Sequence, residues 1–310
     1  MNPLVSILVP VYNASSYLEK CAESLVNQTY HNLQIVMLND GSTDDSWAMM
    51  QELATRDQRI ESHTQPNHGV SFTRNRLLEL AKGDFVLFVD SDDWIKSSTV
   101  ETLVNEHEKT SSDMIVYQMI DTQRDIQGVF SQSEIIKLFL EHERINGSLC
   151  NKMVRRALFD GLKIDETIGY GEDALMVWQV LQRVDRVSIL NEQLYFVRAN
   201  SNSLSRQQFN NNKFSAYKVW ETICNDVDRD WREYAPLAHA RYACEMSLIL
   251  RDAVKSGYKD MDHIRPLQRV LRRDGHYITS TGVSTWAMRG FAWLAGHSYW
   301  LTCRLSPLIW

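Results

Sequence analysis

The stretch KGDFVLFVDSDDW, residues 82–94, contains the strand that decides the fold. Its apolar part, 84–90, follows Gly83 and is typical of a strand buried on both faces of a sheet. The strand ends in the acidic run Asp90–Asp93. Carboxylates this close together repel one another unless a cation compensates their charge. A solvated acidic turn before a helix explains the same run as well. The position of the run in the fold has to decide between a cation site and such a turn.

Outward from this strand, short apolar runs alternate with amphipathic segments. Strands are predicted over 4–9, 33–38, 60–63 and 84–90, and helices over 15–27, 44–56 and 70–81. Ser15 is a candidate N-cap of the first helix, and Ser42 or Thr43 of the second. Alternation of strand and helix indicates a parallel sheet with right-handed crossovers, so the predicted fold class is α/β.

Polar residues follow three of these strands at their carboxyl ends. They are Pro10–Asn13, Asn39–Ser42 and Asp90–Asp93. In open α/β sheets ligands bind beyond the carboxyl ends of the strands, so we expect the three clusters at one binding edge. A Mg²⁺ or Mn²⁺ ion held by one or two protein carboxylates takes its other ligands from phosphate and water. The acidic run therefore favours a site for a nucleotide diphosphate and a divalent cation.

Asp40, which ends a buried strand just before Gly41, is the second candidate residue at this edge. Its carboxylate can accept a hydrogen bond from an imide N–H such as that of uracil. Tyr12 offers a ring face on which a base can stack, and Pro10 shapes the same pocket. A β-turn in which Asp40 caps the next helix is the alternative interpretation.

Two further candidates lie at the starts of predicted helices. Arg74 lies one turn into the helix over 70–81 and can offer its guanidinium to phosphate or to the acidic run, although an exposed helix arginine explains it as well. Glu172 and Asp173 open a helix predicted over 172–184, where the helix dipole favours acids. Either becomes a general base if it faces a substrate hydroxyl.

Composition excludes several classes of protein. Apolar residues make up 44% and charged residues 23%, which is ordinary globular composition. The net charge of −6 lacks the basic footprint of a nucleic-acid-binding protein, so no nucleic acid partner is expected. The five cysteines, no two closer than 20 residues, lack metal or redox spacing and predict reduced thiols in the cytoplasm. The N-terminus reads as a strand rather than a signal peptide, and no apolar stretch reaches the ~20 residues of a membrane span.

The remainder of the chain is predicted to become mainly helical. Strands over 114–119 and 186–197 and helices over 133–141 and 172–184 are followed by helical segments at 209–256, 262–273 and 284–305. A polar stretch at 205–210 predicts a boundary between residues 1–207 and residues 208–310.

The C-terminal end is basic and rich in tryptophan. Residues 251–310 carry nine Lys and Arg against four Asp and Glu. Trp286, Trp293 and Trp300 recur every seven residues and fall within about 40° of one another on a helix. Tryptophan with arginine and without acid is typical of a membrane interface, whereas aromatic stripes at helical spacing also pack in cores and dimer contacts. We expect residues 262–310 to contact a membrane peripherally.

The sequence lacks the motifs of two other classes of nucleotide-dependent enzyme. A sugar-1-phosphate nucleotidyltransferase needs a basic, Gly-rich loop near the N-terminus, and VPVYNASSY is neither. A dinucleotide-binding oxidoreductase needs GxGxxG after the first strand, and that motif is absent from the sequence. A non-catalytic nucleotide-sugar-binding module stays open as the alternative, which donor hydrolysis with Mn²⁺ would discriminate from an enzyme.

Six segments together resemble a known family. In chain order they are PLVSILVPVYN (3–13), QTYHNLQIVMLNDGSTD (28–44), NHGVSFTRN (67–75), KGDFVLFVDSDDW (82–94), NKMVRR (151–156) and GYGEDALM (169–176). The set resembles glycosyltransferase family 2, whose inverting enzymes use nucleotide sugars. The resemblance implies the GT-A fold, a Rossmann-like and mostly parallel sheet flanked by helices, followed by a mainly helical C-terminal region.

The resemblance also implies a role for each matching residue. Nucleotide-sugar contacts are implied for Pro10, Tyr12, Asn13, Asp40, Arg74, Asp90, Ser91, Lys152 and Arg198. Asp92 is implied as the ligand of Mn²⁺ or Mg²⁺, Asp173 as the catalytic base, and Glu172 as the residue that positions the acceptor. The chain departs from the family pattern at Asn39, where an acid is common, and by lacking a His at the usual later metal-ligand position.

The implied reaction moves a hexose or N-acetylhexosamine from a UDP-sugar to an acceptor hydroxyl by metal-assisted single displacement. Enzymes resembling this one often build bacterial cell-surface polysaccharide, such as the O-antigen of lipopolysaccharide, capsule or exopolysaccharide, on an oligosaccharide or polyprenyl-diphosphate-linked acceptor. The expected location is the cytoplasm, at the cytoplasmic face of the inner membrane. Residues 1–207 would be the catalytic domain, and residues 208–310 would face the acceptor or the membrane.

Overall fold

The first apolar runs of the chain form four neighbouring parallel strands, as the sequence predicts. They are β1 (Val5–Val11), β2 (Leu33–Asp40), β3 (Ile60–Gln65) and β4 (Phe85–Phe88). In the sheet their order is β3–β2–β1–β4. Every residue of β2 and all but one of β1 are buried, which is typical of a parallel sheet covered on both faces.

This computed structural model describes residues 2–119, 126–141, 145–198, 209–281 and 286–309, without the side chains of 279, 286–288 and 306–309. The chain divides into two compact units. The first comprises residues 1–136, 144–166 and 176–200, and the second comprises residues 137–143, 167–175 and 201–310.

Four further strands complete the sheet of the first unit. They are β6 (Met114–Gln118), β7 (Gly128–Ser131), β8 (Lys152–Arg155) and β9 (Arg186–Gln193). They extend the order to β3–β2–β1–β4–β8–β6–β9–β7. Only β8 and β7 run antiparallel to their neighbours among these eight strands, so the predicted mostly parallel α/β sheet is confirmed.

A separate two-stranded ribbon joins distant parts of the first unit. In it β5 (Trp94–Ile95) pairs antiparallel with β10 (Tyr195–Phe196). The single strand predicted over 186–197 is therefore wrong at its end. The chain leaves the sheet at Leu194, whose carbonyl accepts hydrogen bonds from the Lys96 backbone N–H and the Thr99 hydroxyl, both at 3.0 Å.

Helices flank the sheet of the first unit. They are α1 (Leu18–Val26), α2 (Ser46–Arg56), α3 (Val70–Leu80) and α4 (Thr99–Thr110), while α5 (Gln132–Leu140) and α6 (Glu172–Leu181) each contribute residues to both units. A 3₁₀ turn follows β8 over Arg156–Phe159.

The predicted N-caps Ser15, Ser42 and Thr43 are wrong. Tyr17 precedes α1 and Asp45 precedes α2, so both helices begin later than predicted. The three predicted residues instead take part in hydrogen bonds between the loops that follow β1 and β2. Those loop contacts satisfy the polar groups that a cap would otherwise use.

The second unit is helical, as predicted for the C-terminal region. It contains α7 (Ala216–Asp230), α8 (Ala235–Lys255), α9 (Met261–Ser280), α10 (Trp286–His297) and α11 (Tyr299–Ile309), with 3₁₀ turns at Asn211–Ser215 and Arg232–Tyr234. The helix predicted over 209–256 is interrupted near Trp231, and the one over 284–305 at Ser298. Most of the predicted boundary 205–210 lies outside the described residues. Within the ranges that the structure describes, no helix is both long and apolar enough to cross a membrane.

A buried carboxylate joins two helices of the second unit. Asp274 on α9 is 2% exposed, and its Oδ2 lies 2.7 Å from Arg273 Nη2 and 3.2 Å from His239 Nδ1 on α8. Its interaction with Asp274 raises the pKa of His239, and the nearby Asp228 adds to the rise. Because the charge is compensated, Asp274 can be buried where the two helices pack.

The amino-terminal edge of the sheet contains a buried polar network around Gly83. The hydroxyl of Ser6 on β1 donates to Gln34 Oε1 (2.5 Å) and accepts from the Gly83 backbone N–H (2.8 Å). A Cβ atom on Gly83 would lie 2.6 Å from the Ser6 nitrogen and 2.7 Å from the Leu4 carbonyl oxygen. Both are backbone atoms of a central strand or its entry, so a side chain has no space at this position.

We expect Gly83→Ala to lower the free energy of unfolding by about 2 kcal/mol or more, because the added methyl group meets backbone that cannot yield. Urea denaturation followed by circular dichroism measures the change. Gly275→Ala in α9 is the matched control, since no atom beyond its own stretch of helix lies within 4 Å of its Cβ position. Alanine there should stabilise the helix by up to about 1 kcal/mol. Equal stability of the two variants would contradict this interpretation.

Candidate active site

The strand register brings three polar loops to one edge of the first unit. Val11 at the end of β1 lies opposite Asn39 of β2, and Leu8 of β1 lies opposite Phe88 of β4. The three strands are parallel, so their carboxyl ends lie at the same edge. The loops that leave this edge are those that hold the polar clusters predicted from the sequence.

The loop after β1 is fixed by Asn13 and presents Tyr12. The Asn13 backbone N–H donates to Ser42 Oγ (3.0 Å), and its side-chain oxygen accepts from the Thr43 backbone N–H (2.8 Å). Asn13 adopts a φ of +48°, a left-handed conformation that asparagine tolerates better than most residues. Pro10 is half-buried, and Tyr12 is 52% exposed. A rigid loop thus offers a free ring face at the sheet edge.

Asp40 anchors the loop between β3 and α3. Its carboxylate accepts hydrogen bonds from Gln65 Nε2 and from the backbone N–H groups of His68 and Gly69, each at 2.9 Å. The residue is 3% exposed. Because a carboxylate has about four acceptor positions, these bonds leave about one for a further donor. The structure therefore assigns Asp40 an anchoring task beside the predicted contact with a base.

Arg74 projects from α3 towards the acidic run. Its side chain is 8% exposed, and Nη2 lies 3.3 Å from Oδ1 of Asp90, whose side chain is 39% exposed. The same helix is tied to Asp40, because Gln65 Nε2 also donates to Thr73 Oγ1 (3.1 Å). Asp40 at the end of β2 and Asp90 after β4 are therefore linked through the start of α3.

Asp93 points into the protein, unlike its neighbours in the acidic run. It is 5% exposed, and its carboxylate accepts hydrogen bonds from the Tyr195 hydroxyl and the Arg198 backbone N–H, both at 2.8 Å. The Tyr195 hydroxyl in turn accepts from the Asp90 backbone N–H (3.1 Å). Burial raises the pKa of Asp93 to about 6, and the charges of Asp92 and Asp90 add to the rise.

Two cations lie beside the acidic run. Arg198 Nε donates to the backbone oxygen of Asp92 (3.1 Å), and its guanidinium lies 4.8 Å from the ring centre of Tyr17 and 5.7 Å from that of Trp94. Lys20 Nζ lies 3.0 Å from the same Trp94 ring. Cations held on aromatic faces next to a loop of this kind suit an anionic ligand such as a diphosphate.

Lys152 lies on β8, where its ammonium holds a neighbouring loop. The residue is 1% exposed, and Nζ donates to the carbonyl oxygens of Asn146 (3.0 Å) and Ser148 (2.6 Å) and to Asn151 Oδ1 (2.6 Å). These bonds assign Lys152 a structural task, and its predicted contact with the donor sugar stays a prediction.

Glu172 and Asp173 form the first turn of α6 and belong to the second unit. The segment before them is held within that unit, because the Tyr170 backbone N–H donates to Ser215 Oγ (2.9 Å). Both acids are half-buried. Their predicted roles as base and acceptor-positioning residue stay predictions.

Asp90, Ser91 and Asp92 form the half-exposed part of the acidic run. Across the described ranges, no group of three or more His, Cys, Asp and Glu side chains is arranged to hold a metal ion. Two carboxylates with hard oxygen donors nevertheless suit Mg²⁺ or Mn²⁺, which take further ligands from phosphate and water. The side chains present therefore fit an ion that is bound together with a diphosphate.

Cys21 on α1 lies beneath this loop. It is fully buried, and its Sγ lies 3.7 Å from the Asp90 carbonyl oxygen. Burial raises the pKa of the Cys21 thiol far above its ordinary value, and the charge of Asp93 adds to the rise. All five cysteines are free thiols, and Cys303 is half-exposed.

Sequence reasoning missed the parts played by Asp93, Tyr195 and Lys20. Asp93 has the same residue type as its neighbours, so the sequence contains no sign that it alone points inward. Tyr195 reaches the site through a ribbon too short to show a periodic pattern. Lys20 contacts Trp94, which lies far along the chain, so its spacing within α1 contains no sign of that contact.

The family model described as "Glycosyl transferase family 2" matches residues 6–162, about half of the chain. The chain belongs to glycosyl transferase family 2. The resemblance that the sequence motifs indicate is thereby confirmed.

Several curated proteins are similar to the chain. The uncharacterized glycosyltransferase EpsJ of Bacillus subtilis is 35% identical over 221 residues, which cover 66% of this chain and 64% of EpsJ. Glycosyltransferase GlyA of Streptococcus pneumoniae is 35% identical, with 65% of this chain and 31% of GlyA covered. The minor teichoic acid biosynthesis protein GgaB of B. subtilis is 27% identical, with coverage of 66% and 24%. The chain thus spans less than two thirds of the length of each of these relatives.

Solved structures share the fold. TarS of S. aureus (residues 1–349) in complex with UDP-GlcNAc has a TM-score of 0.70 at 20% identity, covering 98% of this chain and 92% of that one. The TarS complex with UDP has a TM-score of 0.69 at 18% identity, with coverage of 98% and 91%. The mannosyltransferase PcManGT from Pyrobaculum calidifontis, in complex with GDP-Man and Mn²⁺, has a TM-score of 0.59 at 13% identity, with coverage of 99% and 87%. The predicted GT-A-like fold is confirmed.

The raised pKa of Asp93 predicts how stability depends on pH. The folded protein binds this proton more tightly than the unfolded chain, whose carboxyl titrates near 3.8. The stabilisation is complete below that value and is lost as the pH rises through about 6. Two pKa units correspond to a loss on the order of 3 kcal/mol.

Urea denaturation of the wild type and of Asp93→Asn, in buffer with a metal chelator, tests this expectation. Between pH 4 and pH 6.5, roughly the interval between the two pKa values, the free energy of unfolding of the wild type should fall relative to that of Asp93→Asn, which has no carboxyl to ionise. Asp185→Asn, at an exposed acid in the same unit, is the control and should run parallel to the wild type. Parallel curves for Asp93→Asn would show that Asp93 titrates normally.

Proposed function

We propose that this family 2 member is an inverting glycosyltransferase that moves a hexose or an N-acetylhexosamine from a UDP-sugar to an acceptor hydroxyl. The observation that supports it most is one connected edge of the first unit. There Asp40, Arg74, Asp90, Asp93 and Arg198 are joined through hydrogen bonds and an ion pair in loops at the carboxyl ends of parallel strands. Such an edge contains groups suited to a base, a ribose and a diphosphate.

In this proposal the nucleotide base stacks on Tyr12. The imide N–H of that nucleotide base donates to the remaining acceptor position of Asp40. Uracil carries such an N–H, whereas adenine does not, so a uridine nucleotide is favoured. Pro10 and Asn13 shape the loop around the base, and the TarS structures named above contain UDP and UDP-GlcNAc.

The ribose and diphosphate would lie along the acidic run. Asp90, Ser91 and Arg74 would contact the ribose and the nucleotide end, and Arg198 would place positive charge near the diphosphate. Asp92 would hold a Mn²⁺ or Mg²⁺ ion, which when bound compensates the negative charge of the leaving diphosphate. The PcManGT complex with Mn²⁺ is in keeping with this assignment.

Asp173 is proposed to accept the proton of the acceptor hydroxyl while the hydroxyl oxygen attacks the anomeric carbon. The bond from that carbon to the diphosphate oxygen breaks in the same displacement, and UDP leaves. A single displacement inverts the configuration, so an α-linked donor yields a β-linked product. Glu172 is proposed to position the acceptor, since it precedes Asp173 at the start of α6.

The acceptor is proposed to be an oligosaccharide on a polyprenyl diphosphate carrier, in synthesis of a bacterial cell-surface polysaccharide. The similarity to a protein of minor teichoic acid biosynthesis supports this class of pathway. Residues 1–207 would form the catalytic domain, and residues 208–310 would take part in acceptor or membrane contact. The proposed location is the cytoplasmic face of the inner membrane.

The direct test is a thermal-shift screen followed by a transfer assay. We expect UDP-Glc, UDP-Gal, UDP-GlcNAc or UDP-GalNAc to raise the melting temperature in the presence of Mn²⁺, whereas GDP-mannose should not. Radiolabelled sugar from the best donor should then appear in a lipid-linked product or as free sugar. If the donor binds but is neither transferred nor hydrolysed, the protein is not an enzyme of this kind. The alternative, a nucleotide-sugar-binding module, would then be favoured.

Asp173→Asn should leave donor binding nearly unchanged and lower turnover by about 10²–10⁴-fold, because the acceptor proton loses its base. Calorimetric titration with UDP and initial rates of transfer measure the two effects. Asp230→Asn, at an acid of the second unit near the end of α7, is the matched control and should keep normal turnover. Near-normal turnover in Asp173→Asn would remove Asp173 from this role.

Asp92→Asn should raise the Mn²⁺ concentration needed for UDP to stabilise the protein by roughly tenfold or more, since one hard carboxylate ligand is lost. The thermal shift with UDP, recorded over a series of Mn²⁺ concentrations, measures the effect without any turnover. Asp185→Asn should behave as the wild type. An unchanged Mn²⁺ requirement in Asp92→Asn would exclude Asp92 as the metal ligand.

A further inference from the structure

The last two helices of the second unit carry an exposed aromatic face. Its members are Trp293, His297, Trp300, Leu301 and Arg304, all of which are exposed. The two tryptophans are 67% and 62% exposed, although indole is among the side chains that gain most from burial. A step of four residues places Trp293 and His297 on one side of α10, and steps of one and three residues place Trp300, Leu301 and Arg304 on one side of α11.

The two helices meet at Ser298. The Ser298 backbone N–H donates to the Leu294 carbonyl (2.8 Å), and the Thr302 backbone N–H donates to the Ser298 carbonyl (3.0 Å). They are the last bond of α10 and the first bond of α11, and the Leu301 backbone N–H donates to Ser298 Oγ (3.2 Å), so Ser298 caps α11 and the helix is interrupted there. The aromatic face therefore consists of two groups that follow each other directly in the chain, Trp293 with His297 on α10 and Trp300 with Leu301 and Arg304 on α11.

The opposite side of these helices is already packed. Phe291, Ala295, Tyr299 and Thr302 are all less than 7% exposed. A Cβ atom at Gly296 would lie 3.0 Å from Leu271 Cβ of α9, so α10 and α9 are in close contact. The second unit therefore needs no further core from the exposed tryptophans, and an exposed aromatic surface of this kind marks an interaction site.

The charge of the C-terminal segment indicates the kind of partner. No Asp, Glu or Lys occurs between residues 275 and 310. Within the aromatic face, the Arg304 guanidinium lies 3.9 Å from the ring centre of Trp300. A symmetric contact with a second copy would bring these cationic faces together with no local acid to pair with them. An anionic surface that accepts indole rings at its boundary fits both features, and an anionic lipid bilayer is such a surface.

We propose that the aromatic face docks the protein on an anionic lipid surface, with Trp293, Trp300 and Leu301 at the depth of the headgroups and Arg304 paired with lipid phosphate. This narrows the predicted membrane contact of residues 262–310 to one side of α10 and α11. The side chain of Trp286, which the sequence placed in the same stripe, lies outside the described residues. The proposal does not depend on the glycosyl transfer reaction.

The test measures binding of the full chain to vesicles by co-sedimentation. Vesicles of phosphatidylcholine with phosphatidylglycerol should bind the wild type at low salt and release it at high salt, and tryptophan fluorescence should shift to shorter wavelength on binding. Vesicles of phosphatidylcholine alone should bind it weakly. The double variant Trp293→Ser, Trp300→Ser should lose roughly tenfold or more in partitioning.

Matched variants test whether vesicle binding depends on the aromatic face and on its positive charge. Val129→Ser removes an exposed apolar side chain of the first unit and should bind vesicles as the wild type does. Arg304→Glu keeps both tryptophans and should lose the preference for phosphatidylglycerol, whereas Arg229→Glu, at an exposed arginine of α7, should keep it. The UDP thermal shift should be the same in the wild type and the aromatic-face variants, which separates this proposal from the proposed function.

Three results would overturn the proposal. The first is a wild-type protein that does not sediment with phosphatidylglycerol vesicles at low salt. The second is a double variant that binds vesicles as well as the wild type. The third is a wild-type dimer in analytical ultracentrifugation that the double variant converts to monomer without any vesicle binding, which would assign the aromatic face to self-association.

Discussion

Burial of one carboxylate, that of Asp93, sets the geometry of the acidic loop. A buried carboxylate costs free energy unless hydrogen bonds satisfy it, and here the donors lie 102 and 105 positions further along the chain. The loop after β4 therefore reaches its conformation only when Tyr195 and Arg198 are in place. Asp90 and Asp92 then remain on the half-exposed side of the loop.

Helix α3 connects two parts of the site. Asp40 shapes the loop that leads into this helix, and Arg74 on the same helix contacts Asp90. In the proposed function, the groups that recognise the nucleoside and those that face the diphosphate therefore share one rigid element.

The sequence predicted the parallel strands because burial on both faces produces apolar runs, as in β1 and β2. It did not predict β8, whose four residues include a fully buried lysine, Lys152, in place of an apolar pattern. Nor could it separate Asp92 from Asp93. Asp93 accepts its hydrogen bonds from a distant part of the chain, from the Tyr195 hydroxyl on the β5–β10 ribbon and from the Arg198 backbone N–H.

Cys21 gives the acidic loop an internal chemical reporter. Its thiol lies beneath the Asp90 carbonyl and is held protonated by burial, whereas alkylating reagents react with an accessible thiolate. Alkylation at Cys21 must therefore wait for a local opening of the loop or of α1. The labelling rate at this position would report how often the acidic loop opens, with half-exposed Cys303 as a faster internal reference.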